Sequence, residues 1–166
     1  DSGVAIVTQS SNIACNLSMQ ARGLPIAYIM TAGNQAQTDL AMMGRGLLAD
    51  PRVTALGVHI EGIADLRGFE DLAATARALG KPIVAVRIGA SEQARAAPVS
   101  HTASVAGSDA GGRALLARLG IAQARTLAEM LETLKLLHVG GPLVSNRIGS
   151  LSCSGGEASL MADLSV

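Results

Sequence analysis

Short apolar runs alternate with amphipathic stretches along most of the chain. The runs are rich in Val, Ile and Leu and do not alternate strictly between polar and apolar residues, which is typical of strands covered on both faces. They are Val4–Thr8, Ile26–Met30, Val53–Ile60, Pro82–Arg87 and Ile148–Ser152, with a weaker run at Ile121–Ala122. The pattern therefore predicts the strands of a buried parallel sheet.

The stretches between these runs carry apolar residues at helical spacing. Thr126, with Glu129 three residues later, has the pattern of a capping box at a helix start. The order of strands and helices predicts an α/β fold with an open, doubly wound parallel sheet and right-handed crossovers. The predicted helices are Asn12–Arg22, Gln37–Leu48, Phe69–Leu79, Asp109–Leu119 and Thr126–Leu137.

Two stretches interrupt this rhythm. Residues 88–107 are rich in Gly, Ser, Pro and Ala without a clear period and follow a strand end, where such folds place their sites. Near residue 147 a second strand–turn–helix unit begins that echoes the first one, after a linker-like Gly-Gly-Pro. We therefore expect one domain over 1–140, and a linker with the start of a second, truncated α/β domain over 141–166.

Composition narrows the class of protein. The chain has 166 residues, 49% of them apolar, with one Phe, one Tyr and no Trp, so the core must be built from Ala, Val, Leu, Ile and Met. Thirteen basic residues balance thirteen acidic ones, which argues against a nucleic-acid partner. No apolar stretch approaches the ~20 residues of a membrane span. Two distant cysteines fit a reducing compartment, and we expect a cytoplasmic protein.

Two strand-to-helix turns could hold an anion, because the backbone N–H groups at a helix start point towards one place. Ser10, Ser11 and Asn12 follow the first strand, and Ser154, Gly155 and Gly156 follow the last. The alternatives are ordinary helix caps in the first turn and a tight turn in the second. The chain has no complete nucleotide-binding fingerprint and no metal-ligand spacing, so no metal site is predicted.

His101 is the candidate nucleophile. It lies among small hydroxyl residues in the irregular stretch, and a neutral imidazole has a lone pair available for attack. Glu61 follows a predicted strand, where a carboxylate could orient an imidazole and fix its tautomer. The alternatives are a surface histidine and an ordinary loop acid. His59 and His138 are better explained by positions in a strand and at a helix end.

These residues together resemble the succinyl-CoA-ligase-like domain of NDP-forming (ADP-forming) acyl-CoA synthetases, over nearly the whole chain. The longest match, Ser-His-Thr-Ala-Ser-Val-Ala-Gly-Ser-Asp, departs from the family pattern by Ala103 in place of Gly. Ser11 likewise replaces Gly, and Gln35 replaces Lys. The matching segments are Thr8–Ser11, Ala32–Ala36, Ile60–Gly62, Ser100–Asp109 and Ser152–Asp163.

The resemblance implies a flavodoxin-like three-layer α/β/α fold, as in succinyl-CoA synthetase, and a phosphohistidine mechanism. The histidine matching His101 is phosphorylated, and the glutamate matching Glu61 interacts with it. The helix starts matching Ser10–Asn12 and Ser154–Gly156 hold the phosphate. The implied reaction interconverts acyl-CoA, ADP and phosphate with carboxylic acid, CoA and ATP.

The same resemblance implies partners. A CoA-binding Rossmann domain and an ATP-grasp domain, in the same or a partner chain, would bring CoA, ATP or ADP and Mg²⁺, and no cofactor would be tightly bound here. The acyl substrate is a small carboxylic acid, the fragment alone is expected to be inactive, and a homo-oligomer is possible. The alternatives are a non-catalytic acyl-CoA-sensing domain of a protein acetyltransferase and a flavodoxin-like domain without chemistry.

Overall fold

A computed structural model describes residues 1–63, 65–88, 109–145 and 147–165 of the chain. Strands and helices alternate through these ranges, and most helices begin at a side-chain cap. The strands are β1 (Gly3–Thr8), β2 (Ile26–Thr31), β3 (Val53–Ile60), β4 (Ile83–Arg87) and β5 (Ala122–Ala124). The helices are α1 (Ser11–Ser18), α2 (Leu40–Leu48), α3 (Leu66–Leu79), α4 (Asp109–Arg118), α5 (Leu127–Gly140) and α6 (Gly155–Asp163).

The five described strands form one parallel sheet in the order β2-β1-β3-β4-β5. The chain starts at the second strand of the sheet, β1, moves to the neighbouring edge as β2, and then crosses to the other side of β1. The strand order therefore reverses next to β1, and ligands of open α/β sheets bind at such a point, beyond the carboxyl ends of the strands. The predicted α/β class with a doubly wound, flavodoxin-like sheet is confirmed.

Both faces of the sheet are covered by helices, which explains the continuous apolar runs. Ala5 and Val7 of β1 belong to the core on the side of α2, α3 and α4, whereas Val4 and Ile6 belong to the core on the side of α1 and α5. At Gly57 of β3 a Cβ would lie 2.7 Å from Leu134 of α5. Glycine at this position therefore allows the helix to approach the sheet closely.

Several element boundaries differ from the predicted ones because side-chain caps set them. Asp39 accepts a hydrogen bond from the backbone N–H of Met42, so α2 begins at Leu40 rather than at Gln37. Asp65 similarly caps α3, which begins three residues before Phe69. At the predicted capping box, Glu129 donates its N–H to the Thr126 hydroxyl at 3.1 Å, as expected, but its carboxylate accepts the N–H of Arg125 rather than that of Thr126.

The predicted strand Ile148–Ser152 is wrong: the residues form no strand, and Ile148 and Leu151 are exposed. A strand is stable only beside a hydrogen-bonded neighbour, and the described residues offer none to this segment. None of the described residues of 141–165 is buried. The division into a domain over 1–140 and a second domain start stays a prediction.

Candidate functional site

The predicted anion-binding turn and the predicted carboxylate lie in one pocket. The pocket has a volume of about 390 Å³ and is found where β1 and β3 end. The loop after β2 also reaches this pocket. The N–H of Ala32 donates to the carbonyl of Thr8 at 2.8 Å, which extends the hydrogen bonding between β1 and β2 beyond the end of β2. The lining residues are Gln9, Ser10, Ser11, Asn12, Gly33, Asn34 and Glu61.

The first turn of α1 presents unused backbone donors to this pocket. Ser10 is the N-cap, and its hydroxyl accepts the N–H of Ile13 at 3.4 Å. The N–H of Ser10 is also used, because it donates to the Thr8 hydroxyl at 3.0 Å. The N–H groups of Ser11 and Asn12 have no partner among the described residues, and no acidic side chain neutralises the first turn. This helix start can therefore donate to an anion.

Gln9 fixes Glu61 relative to this helix start. Its side chain is only 4% exposed. Its Nε2 donates to the carbonyl of Gly62 at 3.1 Å, and its Oε1 accepts the N–H groups of Glu61 and Gly62. Glu61 itself is half-buried, and its carboxylate has no hydrogen bond or ion pair within the described residues. The carboxylate is thus held at the pocket by its backbone and is available to a ligand or an imidazole.

A buried polar contact between Thr8 and His59 lies next to the N-cap of α1. Thr8 and His59 are opposite each other in the β1–β3 register and are both fully buried. Nδ1 of His59 lies 3.0 Å from the Thr8 hydroxyl that accepts the Ser10 N–H. Burial lowers the pKa of His59, so its ring is neutral near pH 7.

The loop after β2 takes an unusual backbone conformation at the pocket. Gly33 and Gln35 have φ angles of 53° and 59°, in the left-handed region, which is uncommon for a residue other than glycine. The Gln35 side chain accepts the N–H of Leu40 at 3.0 Å and so helps to cap α2. The residue that replaces the family's lysine therefore has a local structural partner.

The second predicted anion-binding turn is not part of this pocket. Ser154 caps α6 by accepting the N–H of Glu157 at 3.2 Å, and the Glu157 carboxylate accepts the N–H of Cys153. Gly155 and Gly156 begin the helix and are exposed. This turn is a capped helix start, and the Glu157 carboxylate lies near its positive end.

His101 lies outside the described residues, as do the flanking segments 89–100 and 102–108. Its pairing with Glu61 therefore stays a prediction. Within the described ranges, no group of three or more His, Cys, Asp or Glu residues could hold a metal ion. Cys15 and Cys153 are free and exposed. No described helix has both the length and the apolar character that a membrane crossing requires.

Four residues of the site had no role assigned from the sequence: Gln9, Gly33, Asn34 and His59. Gln9 was noted only as part of the matching segment Thr8–Ser11, and its place between β1 and α1 puts its side chain beside the end of β3. Gly33 and Asn34 were noted only as part of a matching segment. His59 was assigned to its strand, and the register of β1 against β3 supplies its partner Thr8.

Comparison with known proteins agrees with this architecture. Residues 1–137 match the family model for the succinyl-CoA ligase like flavodoxin domain. An ADP-forming acetate–CoA ligase of Methanocaldococcus jannaschii is 30% identical over 163 residues, which are 97% of this chain and 23% of that protein. The alpha subunit of ADP-forming acetate–CoA ligase II of Pyrococcus furiosus is 30% identical over 162 residues, 96% of this chain and 35% of that subunit.

A solved structure is also similar. The dinucleotide-forming acetyl-coenzyme A synthetase 1 of Ca. Korarchaeum cryptofilum, in complex with phosphate and ADP, superimposes with a TM-score of 0.85 at 27% identity. The alignment covers 98% of this chain and 36% of that one. The chain thus spans about a quarter to a third of the length of these relatives. It belongs to the family of succinyl-CoA-ligase-like flavodoxin domains found in ADP-forming acyl-CoA ligases.

Proposed function

We propose that this chain is the phosphoryl-carrying part of an ADP-forming acyl-CoA synthetase, with His101 as the carrier. The observation that carries the proposal is the pocket that Ser11, Asn12 and Glu61 line together. Within the described residues, the N–H groups of Ser11 and Asn12 and the carboxylate of Glu61 have no partner. Donors to a phosphoryl group and an acceptor for an imidazole N–H are the two elements that a phosphohistidine site needs.

The proposed reaction has three steps. Phosphate attacks the thioester carbon of acyl-CoA, and CoA leaves to give an acyl phosphate. A ring nitrogen of His101 then attacks phosphorus, and the carboxylate leaves. Finally the phosphoryl group passes from His101 to ADP, which gives ATP. Catalysis of such a transfer rests mainly on positioning and on stabilising charge.

The residues of the pocket have distinct parts in the second step. The N–H groups of Ser11 and Asn12 and the hydroxyls of Ser10 and Ser11 donate to the phosphoryl oxygens, and α1 adds the field of its positive end. The Glu61 carboxylate accepts the N–H of the other ring nitrogen of His101, which fixes the tautomer and stabilises the positive charge that develops on the ring. We propose the same donor role for Ser154, Gly155 and Gly156 when that turn faces a phosphoryl group in the whole protein.

The remaining substrates require other domains. We propose that a CoA-binding Rossmann domain and an ATP-grasp domain, in the same chain or a partner, complete the enzyme in the cytoplasm, and that residues 141–166 begin a further α/β domain. Mg²⁺ would be bound with the nucleotide by the ATP-grasp domain. The substrate class is a small carboxylic acid.

The experiment measures ATP formation from acyl-CoA, ADP and phosphate. The whole protein is assayed with a panel of acyl-CoA thioesters, and the 166-residue chain is assayed alone as the matched control. The proposal predicts ATP formation by the whole protein, dependent on both ADP and phosphate, and none by the chain alone. Absence of ATP formation with every thioester, or turnover by the isolated chain, would contradict it.

A further inference from the structure

Arg87 and Asp109 are located on either side of the segment that contains His101 and contact each other directly. Arg87 is the last residue of β4, and Asp109 is the first residue of α4. Nη1 of Arg87 donates to the backbone carbonyl of Asp109 at 3.0 Å and lies 3.4 Å from its Oδ1. Both side chains are largely buried, at 12% and 20% exposure. The Arg87 guanidinium therefore contacts both the backbone carbonyl and the carboxylate of Asp109.

The surroundings fix this contact further. The second carboxylate oxygen of Asp109 forms an ion pair with Arg113, one helical turn later, with 2.9 Å between Oδ2 and Nη2. At Gly112 a Cβ would lie 2.0 Å from Nη1 of Arg87. The guanidinium of Arg87 thus lies against the backbone of α4 at a position where only glycine leaves room for it.

The contact is also in register with the proposed phosphoryl site. Arg87 pairs with Ile60, and the N–H of Ile88 donates to the carbonyl of Ile60 at 3.0 Å. Glu61 follows Ile60 directly in the sequence. The Arg87–Asp109 contact therefore fixes the start of α4 relative to the strand end that carries the proposed partner of His101.

We infer that Arg87 and Asp109 are positioning residues for phosphoryl transfer: their contact holds the two described residues that flank residues 89–108, Ile88 and Asp109, near the strand end that precedes Glu61. The inference rests on the proposed function. An ion pair with only a structural role would contribute to folding and leave the rate of transfer unchanged. Positioning instead predicts a lower rate of transfer in a folded protein, because fewer orientations of His101 are productive.

The test uses the whole protein and measures the single-turnover rate of His101 phosphorylation, with the steady-state KM for acyl-CoA and the thermal midpoint alongside. Arg87→Met is expected to lower the rate about tenfold or more, equivalent to about 1.4 kcal/mol of barrier, with KM changed by less than about twofold. Arg87→Lys keeps the positive charge but lacks the planar guanidinium with its several N–H donors, and its rate is expected to lie between those of the parent and Arg87→Met. Arg118→Met is the control. Arg118 lies on α4, the helix that begins at Asp109, and forms an exposed ion pair with Glu70.

Gly112→Ala supplies an independent route to the same defect, since it displaces the Arg87 guanidinium without changing any charge. The double variant Arg87→Met/Gly112→Ala is expected to be no slower than Arg87→Met alone, because both substitutions remove the same Arg87–Asp109 contact. If Arg87→Met does not fold, Asp109→Asn and Gly112→Ala take its place.

Transfer by the folded variants within twofold of the parent, or multiplicative effects in the double variant, would overturn the inference. Failure of the proposed function is distinguishable. In that case His101→Ala would still acquire phosphate, whereas failure of this inference alone leaves His101→Ala unlabelled and Arg87→Met as fast as the parent.

Discussion

Nδ1 of His59 lies 3.0 Å from the hydroxyl oxygen of Thr8, and this contact joins β3 to β1 beneath the first turn of α1. The imidazole is fully buried, and its Nε2 has no hydrogen-bond partner within the described part of the chain. A charged ring at this position would lack the solvation it has in water. The proposed phosphate site is therefore supported by a histidine that must stay neutral.

The stability of the chain should accordingly decrease in mild acid. Because burial lowers the pKa of His59 below its usual 6.5, the unfolded state takes up a proton below that pH while the folded state does not. The contribution of His59 to the free energy of unfolding is then constant well above pH 6.5 and falls as the pH drops below it, by up to about 1.4 kcal/mol per pH unit. His59→Phe removes this proton uptake, so its pH profile is expected to be flatter. Urea unfolding followed by circular dichroism between pH 5 and pH 7.5 measures both profiles, and parallel slopes would refute the assignment.

Gln9 is expected to matter for stability as well as for Glu61. Gln9→Leu leaves the carbonyl of Gly62 and two backbone N–H groups without their partner, which costs about 1–3 kcal/mol of unfolding free energy. Gln123→Leu is the matched control, because Gln123 is exposed and makes a single bond to a backbone carbonyl. In the whole protein, Gln9→Leu should also slow His101 phosphorylation. An unchanged unfolding midpoint would show that the Gln9 bridge contributes nothing.

The backbone donor of Ser11 can be removed without breaking α1. Ser11 is the first helical residue, where proline is favoured, and Ser10 has φ −104° and ψ 122°, which a following proline tolerates. Ser11→Pro removes the N–H and the hydroxyl, whereas Ser11→Ala removes only the hydroxyl. The whole protein should therefore show a KM for phosphate about tenfold or more higher in the proline variant than in the alanine variant, given the strength of hydrogen bonds to charged groups. Equal KM values would mean that this N–H does not contact phosphate.

The single tyrosine reports on a polar cluster away from the site. The Tyr28 hydroxyl donates to Asp50 at 2.7 Å, and this bond to a carboxylate raises the pKa of Tyr28. With no other tyrosine and no tryptophan, tyrosinate absorbance follows this group alone. Titration should give a midpoint above the usual value of about 10, and Asp50→Asn should lower it. A higher midpoint in Asp50→Asn than in the parent would mean that the Tyr28 hydroxyl donates to a different acceptor.

The sheet was predictable from the sequence because three of its strands, β1, β3 and β4, are almost entirely buried and read as continuous apolar runs. The same signal failed at Ile148–Ser152, since an apolar run does not reveal whether a neighbouring strand exists to pair with it. The edge strand β5 is short, and its sequence signal was correspondingly weak. Two helix starts were misplaced because side-chain caps set them. Asp39 places the start of α2 after the predicted Gln37, whereas Asp65 places the start of α3 before the predicted Phe69.

The candidate site was predictable to a similar extent. Ser10–Asn12 and Glu61 could be placed together because parallel strands end at one edge of the sheet, and the structure brings them into one pocket. The bridging role of Gln9 depends on which side chain reaches across that edge, and spacing along the chain does not encode it. Gly155 and Gly156 were chosen by analogy with the first turn, yet the described pocket does not include them.

Phosphorylation of His101 in the whole protein tests the central claim most directly. The protein is incubated with γ-labelled ATP and Mg²⁺, and label that is acid-labile and base-stable is counted in the parent and in variants. We expect label in the parent and in the control His138→Ala, less in Glu61→Gln, and none in His101→Ala. Incorporation by His101→Ala equal to that of the parent would contradict the account.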